Sequence, residues 1–119
     1  MLIAAAILTV LVGFAHSILG ERRLIAPLIA DPALPVPVGH RTTRLILRAA
    51  WHATTLSWWA LAALLVWSAA TPGTRAVPIA VAALFAILGP FSLIASRGRH
   101  PGWVFFLPAA VLCTLSALG

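Results

Sequence analysis

The sequence predicts an all-α integral membrane protein, a four-helix bundle with both chain ends on the outer side of the membrane (N-out/C-out). Three observations carry this reading. Residues 1–19, 45–70, 76–95 and 103–118 are apolar stretches of about the length that crosses a bilayer. Hydrophobic residues make up 62% of the 119-residue chain and charged residues 8%, which is more apolar surface than a soluble domain of this size can hide. The basic residues are also segregated. Arg22, Arg23, Arg41, Arg44, Arg48, Arg97 and Arg99 fall on the side of the first and third connections, and Arg75 alone falls on the other. Basic residues stay cytoplasmic, so the connections holding the seven arginines face the cytoplasm.

The first stretch ends at Gly20, followed by Glu21-Arg22-Arg23. No basic residue precedes Arg22, so a signal-peptide n-region is missing and this stretch is expected to be a retained span. Residues 20–44 are expected to hold an interfacial segment and a cytoplasmic loop. Leu24–Ala30 is too short to cross and too apolar for a solvated loop, which suits a short helix lying at the interface. Pro32, Pro35 and Pro37 make 31–39 an extended connector. The second span is the longest, with Thr42 or Thr43 as its cap. Ala70-Thr71-Pro72-Gly73 ends it in a tight turn, which predicts an antiparallel hairpin with the third span. Gly89-Pro90 should kink the third span. Pro101 or Gly102 opens the fourth span, and Pro108 lies within it.

The polar residues gather at one level. His16, Ser17 and Glu21 end the first span, Arg44, Arg48 and His52 begin the second, and Ser96, Arg97, Arg99 and His100 join the third to the fourth. At 1.5 Å per residue, His16 lies about 8 Å inside the membrane and His52 about 10 Å. Arg44, Arg48 and His52 are spaced by four and form one helical stripe. Ionisable groups at such depth face a bundle interior or water and find partners. Glu21 is expected to pair with Arg48, with Arg22 and Arg44 as competitors. The whole set is expected to form one cytoplasmic-side pocket, with His16 and His52 both turned inward.

Several functions fit such a pocket. The leading expectation is a non-enzymatic accessory or ligand-binding membrane protein, the basic cluster holding anionic lipid headgroups. An alternative is a metal- or haem-binding redox protein in which His16 and His52 are the ligands, joined by Glu21 or His100. A third is an enzyme modifying a lipid or isoprenoid, although no convincing nucleophile or acid–base pair is legible. A through-channel fits poorly, because Leu61–Val66 and the outer half of the third span offer nothing polar. Nucleic acid is excluded as a partner by the division of the arginines among short connections.

The remaining aromatic, small and sulfur residues are read as packing. Trp67 and Trp103 suit opposite interfacial belts. Trp58 and Trp59 fall mid-span and suggest helix packing, or a flat cofactor or quinone held between Trp51, Trp58 and His52. Ala49/Ala53, Ala76/Ala80 and Ala82/Ala86 permit close helix approach, within one chain or in a homo-oligomer or with a partner membrane protein. Cys113 is the one cysteine, which excludes an internal disulfide, and reads as a small buried hydrophobe. The absence of lysine beside eight arginines suits a GC-rich bacterial genome, hence a bacterial inner membrane.

The blocks His16-Ser17-x-x-Gly20-Glu21, Arg48-x-x-Trp51-His52 and Ser96-Arg97-Gly98-Arg99-His100 resemble those of small, uncharacterised four-span bacterial membrane proteins. The resemblance implies that the three blocks act as one site, and it brings no activity or cofactor with it.

Overall fold

The computed structural model describes residues 1–33 and 39–119, and it is all-helical with no strand among them. Four helices follow one another: α1 (Leu2–Ala30), α2 (His40–Ala70), α3 (Ala76–Ala95) and α4 (Gly102–Leu118). The first three are long and apolar enough to cross a membrane. At 17 residues, α4 is shorter but equally apolar in character.

The first helix does not stop at Gly20. Glycine ends a helix when it adopts a left-handed conformation, but Gly20 stays right-handed at φ −67° and ψ −43°. The chain passes through one π-helical turn, Glu21–Ile25, and resumes α-helical winding over Ala26–Ala30. That wide turn immediately precedes Pro27, which lacks an N–H and disrupts regular i−4 bonding. The segment expected as a separate interfacial helix is therefore the end of α1. Asp31 leaves the helix in an extended conformation, and its Oδ1 accepts the Ala33 N–H at 2.8 Å. The proline-rich connector expected over 31–39 lies largely outside the described residues.

The second helix begins earlier than its threonines suggested. Gly39 precedes it at φ +90°, and its carbonyl accepts the first turn's closing bond from Thr43 N at 3.0 Å. A helix start needs a residue whose backbone turns sharply away, which glycine supplies freely. The tight turn after Ala70 is present. Gly73 sits at φ +84°, and Ser68 and Thr74 staple the turn, Ser68 Oγ donating to Thr74 O at 2.8 Å.

Packing departs from the expected hairpin. α2 touches α3 only sparsely; the broad contacts are α1 with α2 and α3 with α4, and α1 with α4 joins the two pairs. Glycines explain the choice of neighbours. A methyl at Gly13 would lie 2.5 Å from Trp59 Nε1, and one at Gly20 would overlap the Trp51 indole, so α1 admits two α2 tryptophans at bare backbone. On the other pair, Gly89 gives Leu107 its space. Close approach of this kind is the usual source of helix association in lipid. Ala5, Leu65, Phe85, Ala109 and Cys113 are fully buried where the four helices meet.

The turn between α3 and α4 carries one strained residue. Gly98 N–H bonds Leu93 O at 2.8 Å and Arg97 N–H bonds Ile94 O at 3.1 Å, the paired bonds of a Schellman cap. Its left-handed position is held by Arg97 at φ +52°, where glycine is the favoured residue. Arg97→Gly is expected to stabilise the folded chain by about 0.5–1 kcal/mol. Thermal melts of the two proteins in one detergent check this, with a higher midpoint for the glycine variant as the expected result.

Candidate functional site

The helices part at the arginine-rich end and leave a groove of about 350 Å³ between α1, α2 and the start of α4. Its inner wall is apolar, with Val12, Leu19, Trp51, Trp58 and Phe105. Arg23, Ser96, Arg99 and His100 lie along its lining as polar groups. The volume is within the range of small-molecule sites, which combine apolar walls with a few placed polar groups.

His16 forms the groove's innermost polar feature, and the seam between α1 and α2 fixes it. His16 Nε2–H donates to Trp51 O at 3.2 Å, and Trp51 Nε1–H donates back to His16 O at 3.2 Å. The two rings stack at 4.0 Å with only 10° between their planes. Trp58 meets His16 edge-on at 4.8 Å and meets Phe106 edge-on at 5.5 Å, and Phe106 lies 5.1 Å from Phe85. An aromatic ladder thus runs from the groove into the core. His16 thus stands against both Trp51 and Trp58, two of the residues between which the sequence suggested a flat cofactor.

His100 closes the other wall. Its Nδ1 accepts the Gly102 N–H at 3.1 Å and lies 3.0 Å from Ser92 Oγ. Those donors leave the ring proton on Nε2. His100 therefore caps the first turn of α4, which pins it where it lines the groove. Ser96 Oγ supports it, accepting the His100 backbone N–H at 3.0 Å.

A second polar group lies outside this groove. Arg48 Nη2 is 2.7 Å from Glu21 Oε1, so Glu21 takes Arg48 rather than Arg22 or Arg44 as its partner. His52 Nε2 is 3.4 Å from Glu21 Oε2, and His52 Nδ1 is 2.9 Å from Ser17 Oγ. Ser17 Oγ is also 2.8 Å from Thr55 Oγ1, which in turn reaches Gly13 O at 3.4 Å. Five side chains on two helices thus make one row, hydrogen-bonded from Thr55 through Ser17 to His52 and continued by the ion-pair contacts of Glu21 with His52 and Arg48. Thr55 is buried, whereas Arg48 and His52 are partly open.

The single pocket expected from the sequence is therefore divided. His16, Arg99 and His100 reach the groove; Ser17, Glu21, Arg48 and His52 form the separate row; Arg44 and Arg97 are exposed and join neither. Arg23, Trp51 and Ser96 line the groove although the sequence reading kept Arg23 outside its candidate set. A shared depth brought His16 and His52 to one level but said nothing of direction around each helix. Both His52 nitrogens face protein groups, Glu21 and Ser17, and His16 Nε2 faces Trp51 O. Among the described residues no three of His, Cys, Asp or Glu are grouped as a metal set. Among the same residues the ion pairs converge on Glu21, so Arg23 and Arg99 reach the groove without an acidic partner. No family model, curated protein or solved structure matches the chain.

Proposed function

We propose that this chain is a multi-pass protein of the bacterial inner membrane, crossing it four times with its arginine-rich end in the cytoplasm. In this reading it is a ligand-binding protein whose groove takes an anionic amphiphile. The observation that carries the reading is the groove's two-part lining. Trp51, Trp58, Val12 and Phe105 suit a hydrocarbon chain, and Arg23 and Arg99 bring positive charge to the same opening without an acid to neutralise it. Arginine forks suit phosphate and carboxylate oxygens, and His100 adds the Nε2–H left by its cap. An anionic headgroup at that level would lie in the inner leaflet, where basic residues are attracted by about 1 kcal/mol each.

The test is lipid retention. Purified protein is exchanged into mixed micelles of phosphatidylglycerol and phosphatidylcholine, and bound lipid is identified by native mass spectrometry. Wild type is expected to retain phosphatidylglycerol selectively, and Arg23→Gln with Arg99→Gln is expected to reduce that selectivity at least about tenfold, the size of losing two charge-assisted contacts of about 1 kcal/mol. Equal retention of the two lipids, or selectivity that survives the double substitution, would overturn the proposal. A periplasmic reporter fused after Gly119 checks the orientation, and activity is the expected result.

A further inference from the structure

We propose that Ser17, His52 and Glu21 form a serine-nucleophile triad on the face of the α1–α2 seam away from the groove, acting on carboxylic esters of lipids. This does not rest on the amphiphile reading, since none of the three lines the groove.

The argument begins with Glu21. Its Oε1 is taken by Arg48 at 2.7 Å. Its Oε2 is buried and has no hydrogen-bond partner at full bonding distance. His52 Nε2 lies 3.4 Å from that oxygen, within ion-pair reach but without hydrogen-bond geometry. A buried carboxylate oxygen needs a donor, so the His52 proton belongs on Nε2. Nδ1 is then the ring's free lone pair, and it lies 2.9 Å from Ser17 Oγ. The result is an acid holding an imidazole, and that imidazole poised as base for a hydroxyl. This is the arrangement that activates serine, recognised by geometry and role rather than by position in the chain. The ring presents its nitrogens in the opposite order from the usual triad, but either lone pair can take the proton. The 3.4 Å contact is of the loose kind that tightens when substrate is bound. Thr55, 2.8 Å from Ser17 Oγ and anchored toward Gly13 O, serves as a positioning residue.

The surroundings select the substrate class. Phe14 and Ile18 flank Ser17 within one helical turn and Leu56 follows His52 by four residues, and all three are apolar and exposed, which suits a hydrocarbon-bearing substrate. The carbonyl that arrives there is that of an acyl ester in a lipid. Ser17 Oγ bonds to the carbonyl carbon as the ester C–O bond breaks, and the serine proton passes through His52 Nδ1 to the departing alkoxide, which leaves as an alcohol. Water then attacks the acyl-serine and gives its proton to Nδ1. The carboxylic acid leaves as Ser17 recovers a proton, and no oxidant or reductant is needed.

The experiment uses the whole chain in mild detergent with diisopropyl fluorophosphate and the p-nitrophenyl ester of a long-chain fatty acid. The expected result is a diisopropylphosphorylated Ser17 peptide, formed with loss of fluoride and found in native but not in SDS-denatured protein, and a burst of one p-nitrophenol per chain. His52→Gln is expected to slow labelling of Ser17 at least 100-fold and Glu21→Gln at least tenfold, with Ser17→Ala unlabelled. Native wild type without an adduct at Ser17 would overturn the triad. So would labelling that persists after denaturation, or that keeps its rate in a folded His52→Gln protein.

Discussion

Gly20→Val is expected to destabilise the folded chain by about 3–5 kcal/mol and to break up the groove. The new side chain would occupy the volume of the Trp51 indole, and overpacking of this kind costs about 1–3 kcal/mol. Displacing Trp51 also removes the two reciprocal bonds with His16 and the ring stack at 4.0 Å. Each such bond contributes about 0.6 kcal/mol between membrane helices, and the stacked pair about 0.5–1.5 kcal/mol. A double-mutant cycle isolates the cause. Trp51→Ala alone should also destabilise, but adding Gly20→Val to it should cost little, because the space is already vacant. Unfolding in a graded denaturing detergent measures all four proteins. Additive losses would show that the α1–α2 seam is not held by this contact.

Phe106→Ala is expected to cost about 3–5 kcal/mol by the same measurement, the usual range for emptying a buried aromatic site. Phe106 is buried at 4% exposure and stands between Phe85 and Trp58. Its removal has a functional consequence as well. Trp51, His16 and Trp58 line the groove and Phe106 packs edge-on against Trp58 behind them, so a cavity at Phe106 would let the groove extend toward the core. Bound amphiphiles in the variant should shift toward longer chains in the lipid-retention measurement. An unchanged chain-length profile in a folded variant would place the floor elsewhere.

Much of the architecture was legible in the long apolar runs of the sequence. Long apolar runs must become helices when no water is present to satisfy the backbone, so 45–70 and 76–95 could be located from hydropathy alone. The level of the polar residues was equally legible, since rise per residue is fixed. Direction around the helix was not. His16 and Ser17 are adjacent in sequence, yet they serve opposite faces of the α1–α2 seam, one stacked on Trp51 and the other bonded to His52. A depth argument merges them, and a wheel projection would have separated them by about 100°. Of the small-residue pairs, Ala82 is buried in the core, whereas Ala49, Ala53, Ala76, Ala80 and Ala86 are exposed. Alanine pairs were too common to be informative, whereas Gly13 and Gly20, seven residues apart, face Trp59 and Trp51. Glycine opposite tryptophan on the next span was the readable signal.

The wide turn at Glu21–Ile25 has a consequence for how α1 is to be aligned and engineered. Taking Thr9 as the direction of the bundle, uniform winding puts Ile25 about 160° away and Ile29 about 200° away, on the lipid side. Both are nevertheless buried. The additional residue in that turn sets the reading frame of the helix back by about 100°, so the two ends of α1 are out of phase with each other. A pattern search that runs one frame across 2–30 averages the two phases and sees a break at Gly20. Deleting a residue from 21–25 would join the frames, and insertions or deletions there would rotate Arg22 and Arg23 around the helix while leaving every upstream contact in place. Charge placement at that end of α1 can thus drift independently of the packed stretch before it.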